Sequence, residues 1–155
     1  PNTVFPVDDI CTEVIDAFNL AAESQEIDLT YKCLDAELSV CGDYEELLTV
    51  LNNLVSNAIR YTPQGGRVCL QSYADADQAV IEVSDTGLGI APEHQTRIFE
   101  RFYRVDRARS RELGGTGLGL SIVKHLTQSM GGQVEVESQI GVGSTFRIKL
   151  PRKNA

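Results

Sequence analysis

One aspartate and two glycine-rich stretches carry the residue types best suited to chemistry in this sequence. Asp85 follows an apolar run and opens the stretch 85–90, which has glycines at its third and fifth positions. A denser glycine cluster at 114–120 runs directly into a pattern that predicts a helix. Glycines provide positive φ angles and bare backbone N–H groups, and a glycine-rich turn before a helix N-terminus binds anions. These spacings predict a phosphate-bearing ligand held between two glycine loops, with Asp85 fixing a polar group at its other end.

A stripe of polar residues lies on the helix predicted upstream of Asp85. Asn53, Asn57 and Arg60 are spaced i, i+4 and i+7, so they share one helix face. Asparagine is a poor helix-interior residue because its side chain competes for backbone hydrogen bonds, so two on one face need an explanation. Two interpretations stay open at this point. The stripe is either a solvent-facing polar side, or a set of amide oxygens directed at a hard cation or at phosphates, with Arg60 supplying charge.

The net charge argues against one class of partner, and the basic residues concentrate in one segment. The 155 residues carry a formal net charge of −8, which disfavours general nucleic-acid binding because phosphate backbones need a basic face. Arginines cluster between positions 97 and 111, and apolar periodicity is lost from Tyr103 to Leu113. A solvated loop is the ordinary interpretation of such a run. The neighbouring glycines favour a mobile basic loop over 103–114, hinged at Gly114 and Gly115.

Length and hydropathy predict one domain over 1–155, with 1–7 as a linker remnant or edge strand and 152–155 as a tail. No apolar run is long enough to span a bilayer, and no signal-peptide pattern opens the chain. We therefore expect a cytoplasmic domain, compatible with a membrane anchor elsewhere in a longer protein, of which a chain that starts at Pro1 would be a piece. The cysteines have no C-x-x-C spacing, so we expect reduced, buried core residues rather than a metal site or disulfides. They are Cys11, Cys33, Cys41 and Cys69.

Apolar periodicity and turn residues predict the elements that position these groups. Helices are predicted over 9–24, 44–61, 92–100 and 117–130. Strands are predicted over 27–34, 38–41, 67–73, 79–83, 133–138 and 144–150. Asp8 or Asp9 would cap the first helix and Asp43 the second, and Pro151 would close the last strand. This arrangement places Asp85 just past a strand end, before a glycine turn, where ligand-binding carboxylates commonly lie.

Five motifs in order carry a resemblance to a known family. Residues 51–63 resemble the N box of sensor histidine kinases, 85–90 their G1 box, 98–104 their F box, 115–120 their G2 box and 141–146 their trailing glycine motif. Neither the spacing of a dinucleotide-binding turn nor the G-K-[ST] ending of a P-loop is present. The ordered set covers nearly the whole chain. It resembles the catalytic ATP-binding domain of sensor histidine kinases, which is shared with gyrase, the ninety-kilodalton heat-shock chaperone and mismatch-repair ATPases.

The resemblance implies an α+β fold of the Bergerat type. That fold is a two-layer α/β sandwich, in which three main helices cover one face of a mixed sheet of about five strands. It also implies a mobile ATP lid, which here would be the basic segment 103–114.

The resemblance further implies a role for each matching residue. Asp85 would accept a hydrogen bond from the adenine amino group, helped by Thr145 and a water. Asn57, with Asn53, would hold Mg²⁺. The phosphates would be contacted by Arg60, where the family often has lysine, and by Arg104. The other matching residues would lie against the nucleotide, shape the base pocket or close on the phosphates: Tyr61, Gly87, Gly89, Ile90, Gly115, Thr116, Gly117, Leu118, Gly119 and Leu120.

As a function, the resemblance implies that the domain binds ATP and Mg²⁺ and donates the γ-phosphoryl group to a histidine on a separate dimerisation and phosphoacceptor domain, for signalling to a cognate response regulator. Neither His94 nor His125 has the sequence context of that acceptor, so we do not expect the domain to autophosphorylate alone. We also expect the isolated domain to be a monomer. Two alternatives stay open. One is a non-transferring ATP-binding regulatory module, such as a degenerate kinase. The other, more remote, is an ATP-driven clamp of the gyrase type, which Glu46 keeps under consideration although its spacing from Asn53 is unusual.

Overall fold

The computed structural model describes residues 1–101 and 119–153 of the chain. Its helices are α1 (Val7–Ser24), α2 (Tyr44–Tyr61), α3 (Pro92–Gln95) and α4 (Gly119–Ser129). Its strands are β1 (Thr3–Pro6), β2 (Asp28–Cys33), β3 (Ser39–Gly42), β4 (Arg67–Asp75), β5 (Gln78–Asp85), β6 (Gln133–Gln139) and β7 (Gly143–Lys153). The described elements therefore follow the predicted order, and the opening residues form a strand.

The strands form one mixed sheet in the order β1-β3-β7-β5-β4-β2. Strand β6 also pairs with β7, along a different stretch of it from the one that pairs with β3. Among the described strands only β2 and β4 run parallel, and the other neighbours are antiparallel. The α+β fold class is as expected. The sheet has seven strands rather than about five, because the short pair β1 and β3 extends the edge beyond β7.

The hydrophobic core lies between one face of the sheet and the helices. Cross-strand pairs such as Val83 with Phe146 and Ile81 with Ile148 point to this face and belong to the core cluster. Helix α2 turns one apolar side to this core, and helix periodicity predicts the members of that side, all of which are buried: Leu47, Leu51, Leu54, Val55, Ala58 and Ile59. The core therefore fixes α2 across the sheet face that carries Asp85.

The two predicted helix caps have different outcomes. Asp43 caps α2 as predicted, because its Oδ1 accepts from the Glu46 N–H at 3.1 Å. The prediction for Asp8 and Asp9 is wrong. Helix α1 begins at Val7 and the cap position is Pro6, which makes no side-chain bond. The Val7 N–H donates instead to Leu38 O at 2.9 Å, so the loop before β3 satisfies this helix end.

Strand β7 continues beyond Pro151, contrary to prediction. Arg152 pairs with Val40 of β3, and its N–H donates to Asp77 O at 2.8 Å on the opposite side. Backbone N–H groups alternate in direction along a strand, so the nitrogen of Pro151 points away from β5. It faces the short gap in which β7 no longer pairs with β6 and does not yet pair with β3. A missing N–H at that junction removes no bond from either ladder, which explains why the strand tolerates this proline. The predicted helix over 92–100 is also shorter, and ends at Gln95.

The prediction that the cysteines are buried is largely wrong. All four thiols are free, and Cys11 is buried. Cys33 and Cys41 are exposed and Cys69 is half-buried. On β3 the reason is strand alternation, because Val40 and Gly42 take the buried positions on either side of Cys41. No helix in the described ranges combines the length and apolar composition needed to cross a membrane.

The other face of the sheet carries a polar network centred on Glu82. This carboxylate is buried and accepts from Gln71 Nε2 at 2.6 Å, from the Tyr73 hydroxyl at 2.7 Å and from Arg147 Nε. Burial alone would raise the pKa of Glu82, but the lowering by these three bonds is larger, so the pKa lies below its ordinary value. The network stabilises β4, β5 and β7 from the side opposite α2.

Candidate functional site

Asp85 is the last residue of β5, on the sheet face that packs against the helices. Its cross-strand partner on β7 is Ser144. The Asp85 Oδ1 accepts from the Gly87 N–H at 2.9 Å and from the Ser144 N–H at 3.3 Å. Both bonds use the same oxygen, so within the described part of the chain Oδ2 is available to a ligand. Burial raises the pKa of Asp85, and the two amide bonds oppose that rise.

The loop after Asp85 packs directly against the C-terminal end of α2. A Cβ added at Gly87 would lie 2.6 Å from Tyr61 O, 2.9 Å from Asp85 Oδ1 and 3.2 Å from Thr62 Oγ1. Only glycine fits at this contact. The structure therefore brings Tyr61 and Asp85, which are remote in sequence, to the two sides of one glycine.

The second half of this loop is tied to the β6–β7 turn. Gly89 has a φ of +76°, and a Cβ there would overlap Gln139 O. The Ile90 N–H donates to Ser138 Oγ at 2.7 Å, and Gln95 Nε2 donates to Ile90 O at 2.9 Å and to Ser138 O at 3.0 Å. The predicted pocket residues Gly87, Gly89 and Ile90 thus lie on one anchored loop.

Thr145 is not brought to Asp85. Its Oγ1 lies 3.0 Å from Ser84 Oγ, and this pair occupies the sheet face opposite to that of Asp85 and Ser144, since neighbouring strand residues alternate. Ser144 takes the position expected for Thr145, because it is directly opposite Asp85 on the helix-covered face. The expectation that Thr145 lies beside Asp85 is therefore wrong, and Ser144 is the residue that lies there.

The polar stripe of α2 lies as the sequence indicated, on the side of the helix away from its core residues. Asn53, Asn57, Arg60 and Tyr61 are all half-buried. Asn53 Nδ2 donates to Thr49 O at 2.8 Å, so its Oδ1 is turned away from the helix backbone. The Asn57 side chain makes no hydrogen bond to any residue in the described ranges. Both amides therefore have an oxygen available to a ligand.

Helix α4 meets this stripe at its first described residue. A Cβ added at Gly119 would lie 3.2 Å from Asn53 Oδ1, so the backbone of α4 approaches the amide closely. Leu120 is half-buried and packs against the core. The other expected phosphate-side residues lie outside the described residues: Arg104, Gly115, Thr116, Gly117 and Leu118. The proposed lid over 103–114 also lies there.

The residues present fit a nucleotide with Mg²⁺. The described residues hold no group of three or more His, Cys, Asp or Glu side chains that could bind a metal. Any cation here would be held by the amide oxygens of Asn57 and Asn53 together with phosphate oxygens and water, which is the coordination Mg²⁺ prefers. An acceptor at Asp85 and amides on α2 suit the two ends of such a ligand.

Two residues beside Asp85 and its loop were not foreseen. Ser144 and Ser138 face each other on β7 and β6, and their Oγ atoms lie 2.7 Å apart. On α2, Asn52 buries an Oδ1 that has no partner in the part of the chain that the structure describes. Once the register of β5 with β7 is known, the alternation along β7 identifies Ser144, but neither residue type nor spacing fixes that register.

Comparison with known proteins identifies the family and the fold. The family described as histidine kinase-, DNA gyrase B- and HSP90-like ATPases matches residues 42–154. The sensor-like histidine kinase SenX3 of Mycobacterium tuberculosis is 46% identical over 152 residues, which is 97% of this chain and 37% of that protein. The sensor histidine kinase WalK of Bacillus subtilis is 39% identical over 142 residues, or 90% of this chain and 23% of that protein. The chain thus spans about a third of the length of its curated relatives or less.

Solved structures agree. The catalytic domain of histidine kinase ThkA superposes with a TM-score of 0.86 at 28% identity, over 97% of each chain. The mycobacterial sensor histidine kinase MprB gives a TM-score of 0.86 at 27% identity, over 99% of this chain and 100% of that one. The chain therefore belongs to the family of histidine kinase-, DNA gyrase B- and HSP90-like ATPases, and within it to the catalytic domains of sensor histidine kinases.

Proposed function

We propose that this domain binds ATP with Mg²⁺ between α2 and the loop after β5, and donates the γ-phosphoryl group to a histidine on a separate dimerisation and phosphoacceptor domain. The observation that carries the proposal is the contact of Gly87 with Tyr61 O and Asp85 Oδ1. It joins a carboxylate with an open oxygen to the helix that carries two amides and a cation. This arrangement suits adenine at one end and a polyphosphate at the other.

Each residue then has a definite task. Asp85 Oδ2 accepts from the adenine 6-amino group, while its Oδ1 stays bound to the Gly87 and Ser144 amides. Tyr61 lies against the nucleotide, and Arg60 contacts its phosphates, a role that the sequence resemblance also implies for Arg104. Asn57 and Asn53 would hold Mg²⁺, which would supply charge neutralisation at the phosphates. In the transfer itself, the acceptor imidazole nitrogen bonds to the γ-phosphorus as the bond to the β–γ bridging oxygen breaks, leaving ADP.

A solved complex of a relative supports a proposal for the partner. ThkA has been solved in complex with the response regulator TrrA, and 98% of this chain superposes on that kinase with a TM-score of 0.82. We infer that the protein containing this chain likewise passes its phosphoryl group to a cognate response regulator, in the cytoplasm. We expect the isolated domain to be monomeric and to bind no nucleic acid.

A transfer assay tests this function against the alternative of a non-transferring ATP-binding module. The domain is incubated with γ-³²P-labelled ATP, Mg²⁺ and a separately expressed helical hairpin that carries the acceptor histidine. We expect acid-labile label on the hairpin only when the domain is present, and none on the domain alone. A hairpin whose acceptor histidine is replaced by glutamine serves as control. ATP binding without any transfer would support the regulatory module instead.

A further inference from the structure

Ser138 is a shared partner of three groups at the base end of the site. Its Oγ lies 2.7 Å from Ile90 N, 3.0 Å from Gly143 O and 2.7 Å from Ser144 Oγ. Each distance is that of a hydrogen bond, and each such bond needs one hydrogen between the two heavy atoms. Without that hydrogen, two oxygens at these distances would repel each other.

Only one arrangement of hydrogens satisfies all three contacts. A serine hydroxyl has one hydrogen and two lone pairs. The Ile90 N–H can only donate to Ser138, and Gly143 O can only accept, so the Ser138 hydrogen is used on Gly143 O. The hydrogen between the two serines must therefore come from Ser144. Ser138 then donates once and accepts twice, which uses its whole capacity.

The consequence falls on Ser144. Its single hydrogen is committed to Ser138, so its Oγ faces the site with lone pairs alone. Ser144 is directly opposite Asp85 on the helix-covered face, and its own N–H is held by Asp85 Oδ1. The site therefore presents two hydrogen-bond acceptors side by side, Asp85 Oδ2 and Ser144 Oγ.

We propose that Ser138 is a positioning residue that keeps the Ser144 hydroxyl an acceptor, so that the site selects a purine with a 6-amino group over one with a 6-oxo group. The inference rests on the proposed function, since it concerns the base of the nucleotide bound there. Asp85 alone discriminates weakly, because a carboxylate also accepts from the N1–H of a 6-oxo purine. The lone pairs of Ser144 Oγ add the discrimination, because in direct contact they attract an amino group and repel a carbonyl oxygen.

The test compares ATP with inosine triphosphate, which carries a 6-oxo group in place of the 6-amino group. Dissociation constants of both are measured by calorimetry on the 155-residue chain with Mg²⁺. We expect Ser138→Ala to lower the preference for ATP by about three- to tenfold, the size of one hydrogen bond. In that variant the Ser144 hydroxyl is free to rotate and donate to the 6-oxo group. Ser138→Thr, which retains a hydroxyl, is expected to keep the preference.

Gln95→Ala is the matched control for loosening of the loop. Gln95 anchors the same backbone through Ile90 O and Ser138 O but touches neither serine hydroxyl. We expect this variant to weaken the binding of both nucleotides by the same factor and to leave the ratio of their dissociation constants unchanged. Thermal melts establish that each variant is folded, and Ser138→Cys, which donates and accepts only weakly, replaces Ser138→Ala if the latter does not fold.

The outcomes separate the two proposals. If Ser138→Ala weakens ATP and inosine triphosphate equally, Ser138 only holds the loop and the inference is overturned, while the proposed function stands. An unmodified chain that binds ATP no better than inosine triphosphate also overturns it. An unmodified chain that binds neither nucleotide overturns the proposed function, and the inference with it.

Discussion

Gly87 lies against the carbonyl oxygen of Tyr61, so closely that a Cβ would come within 2.6 Å of it. The contact joins the end of α2 to the turn that begins at Asp85. Because the obstructing atom belongs to the backbone, it cannot rotate away as a side chain would. The spacing between the two halves of the site is therefore fixed at this glycine.

Gly87→Ala should lower the unfolding free energy by about 1–3 kcal/mol, as over-packing does, and should weaken ATP binding. Urea unfolding and calorimetry measure the two effects. Gly65→Ala is a matched control, since Gly65 has a φ of +87° but nothing within 4 Å of an added Cβ. That variant should lose about 1 kcal/mol to backbone strain and keep its affinity. Equal ATP affinity for Gly87→Ala and the unmodified chain would contradict the proposed contact.

Asp85→Asn should separate stability from binding. The amide oxygen can still accept from Gly87 and Ser144, while the NH₂ group replaces the acceptor offered to adenine. We expect ATP affinity to fall about tenfold or more, as for loss of a hydrogen bond to a charged group.

The stability of the same variant should depend on pH. The folded-state pKa of Asp85 is raised by burial, so protonation favours the fold, and this contribution is lost as pH rises through that pKa. At pH 7 the buried charge therefore destabilises the unmodified chain relative to Asp85→Asn. We expect the variant to be the more stable at pH 7, by a margin that disappears as pH falls below 3.8, the ordinary value. Thermal melts across this range check the sign, and a margin that grows in acid would be inconsistent with it.

Asn57→Ala should remove Mg²⁺-dependent binding of ATP while leaving the weaker Mg²⁺-free binding unchanged. The fold should not suffer, because alanine is the better helix former and Asn57 bonds to no residue in the described ranges. Calorimetry with and without Mg²⁺ gives the comparison. Asn19→Ala on the exposed side of α1 makes the same chemical change outside the site and should alter neither value. A Mg²⁺ effect that persists in Asn57→Ala would remove this residue from the metal site.

Glu82→Gln should lower the unfolding free energy by about 2 kcal/mol at pH 7, through the charge-assisted bonds it weakens. The folded-state pKa of Glu82 lies below its ordinary value of 4.5. Its contribution is thus present above pH 4.5 and lost as pH falls through the lowered pKa, so the difference between the two chains should shrink in acid. Glu135→Gln, which removes a half-exposed partner of Lys149, should cost about 0.5 kcal/mol. Neither change should affect ATP binding.

The local patterns of the sequence predicted the half of the site built on α2. The apolar positions of α2 follow from helix periodicity and direct Asn53, Asn57 and Arg60 away from the core, and the cap at Asp43 follows from its residue type. Asp85 was likewise identified, because it ends an apolar strand before a glycine turn.

Residues whose positions depend on pairing between distant strands were not predicted. Ser144 and Thr145 are adjacent and chemically alike, and only the register of β7 with β5 decides which one shares a face with Asp85. A shift of one residue would exchange them. The same applies to Cys41, whose exposure depends on the face that β3 presents. It also applies to Pro151, which β7 tolerates because it lies between the residues paired with β6 and those paired with β3.

Every one of the eight residues of β5 is paired on both sides, and Asp85 is the last of them. Amide hydrogens in such a strand exchange with solvent only when the sheet itself opens. The acid that would contact adenine thus stays in place through ordinary fluctuations of the native state. Apart from changes to Asp85 itself, substitutions along β5 should accordingly hasten nucleotide departure less than substitutions in α2 or the loop 86–91.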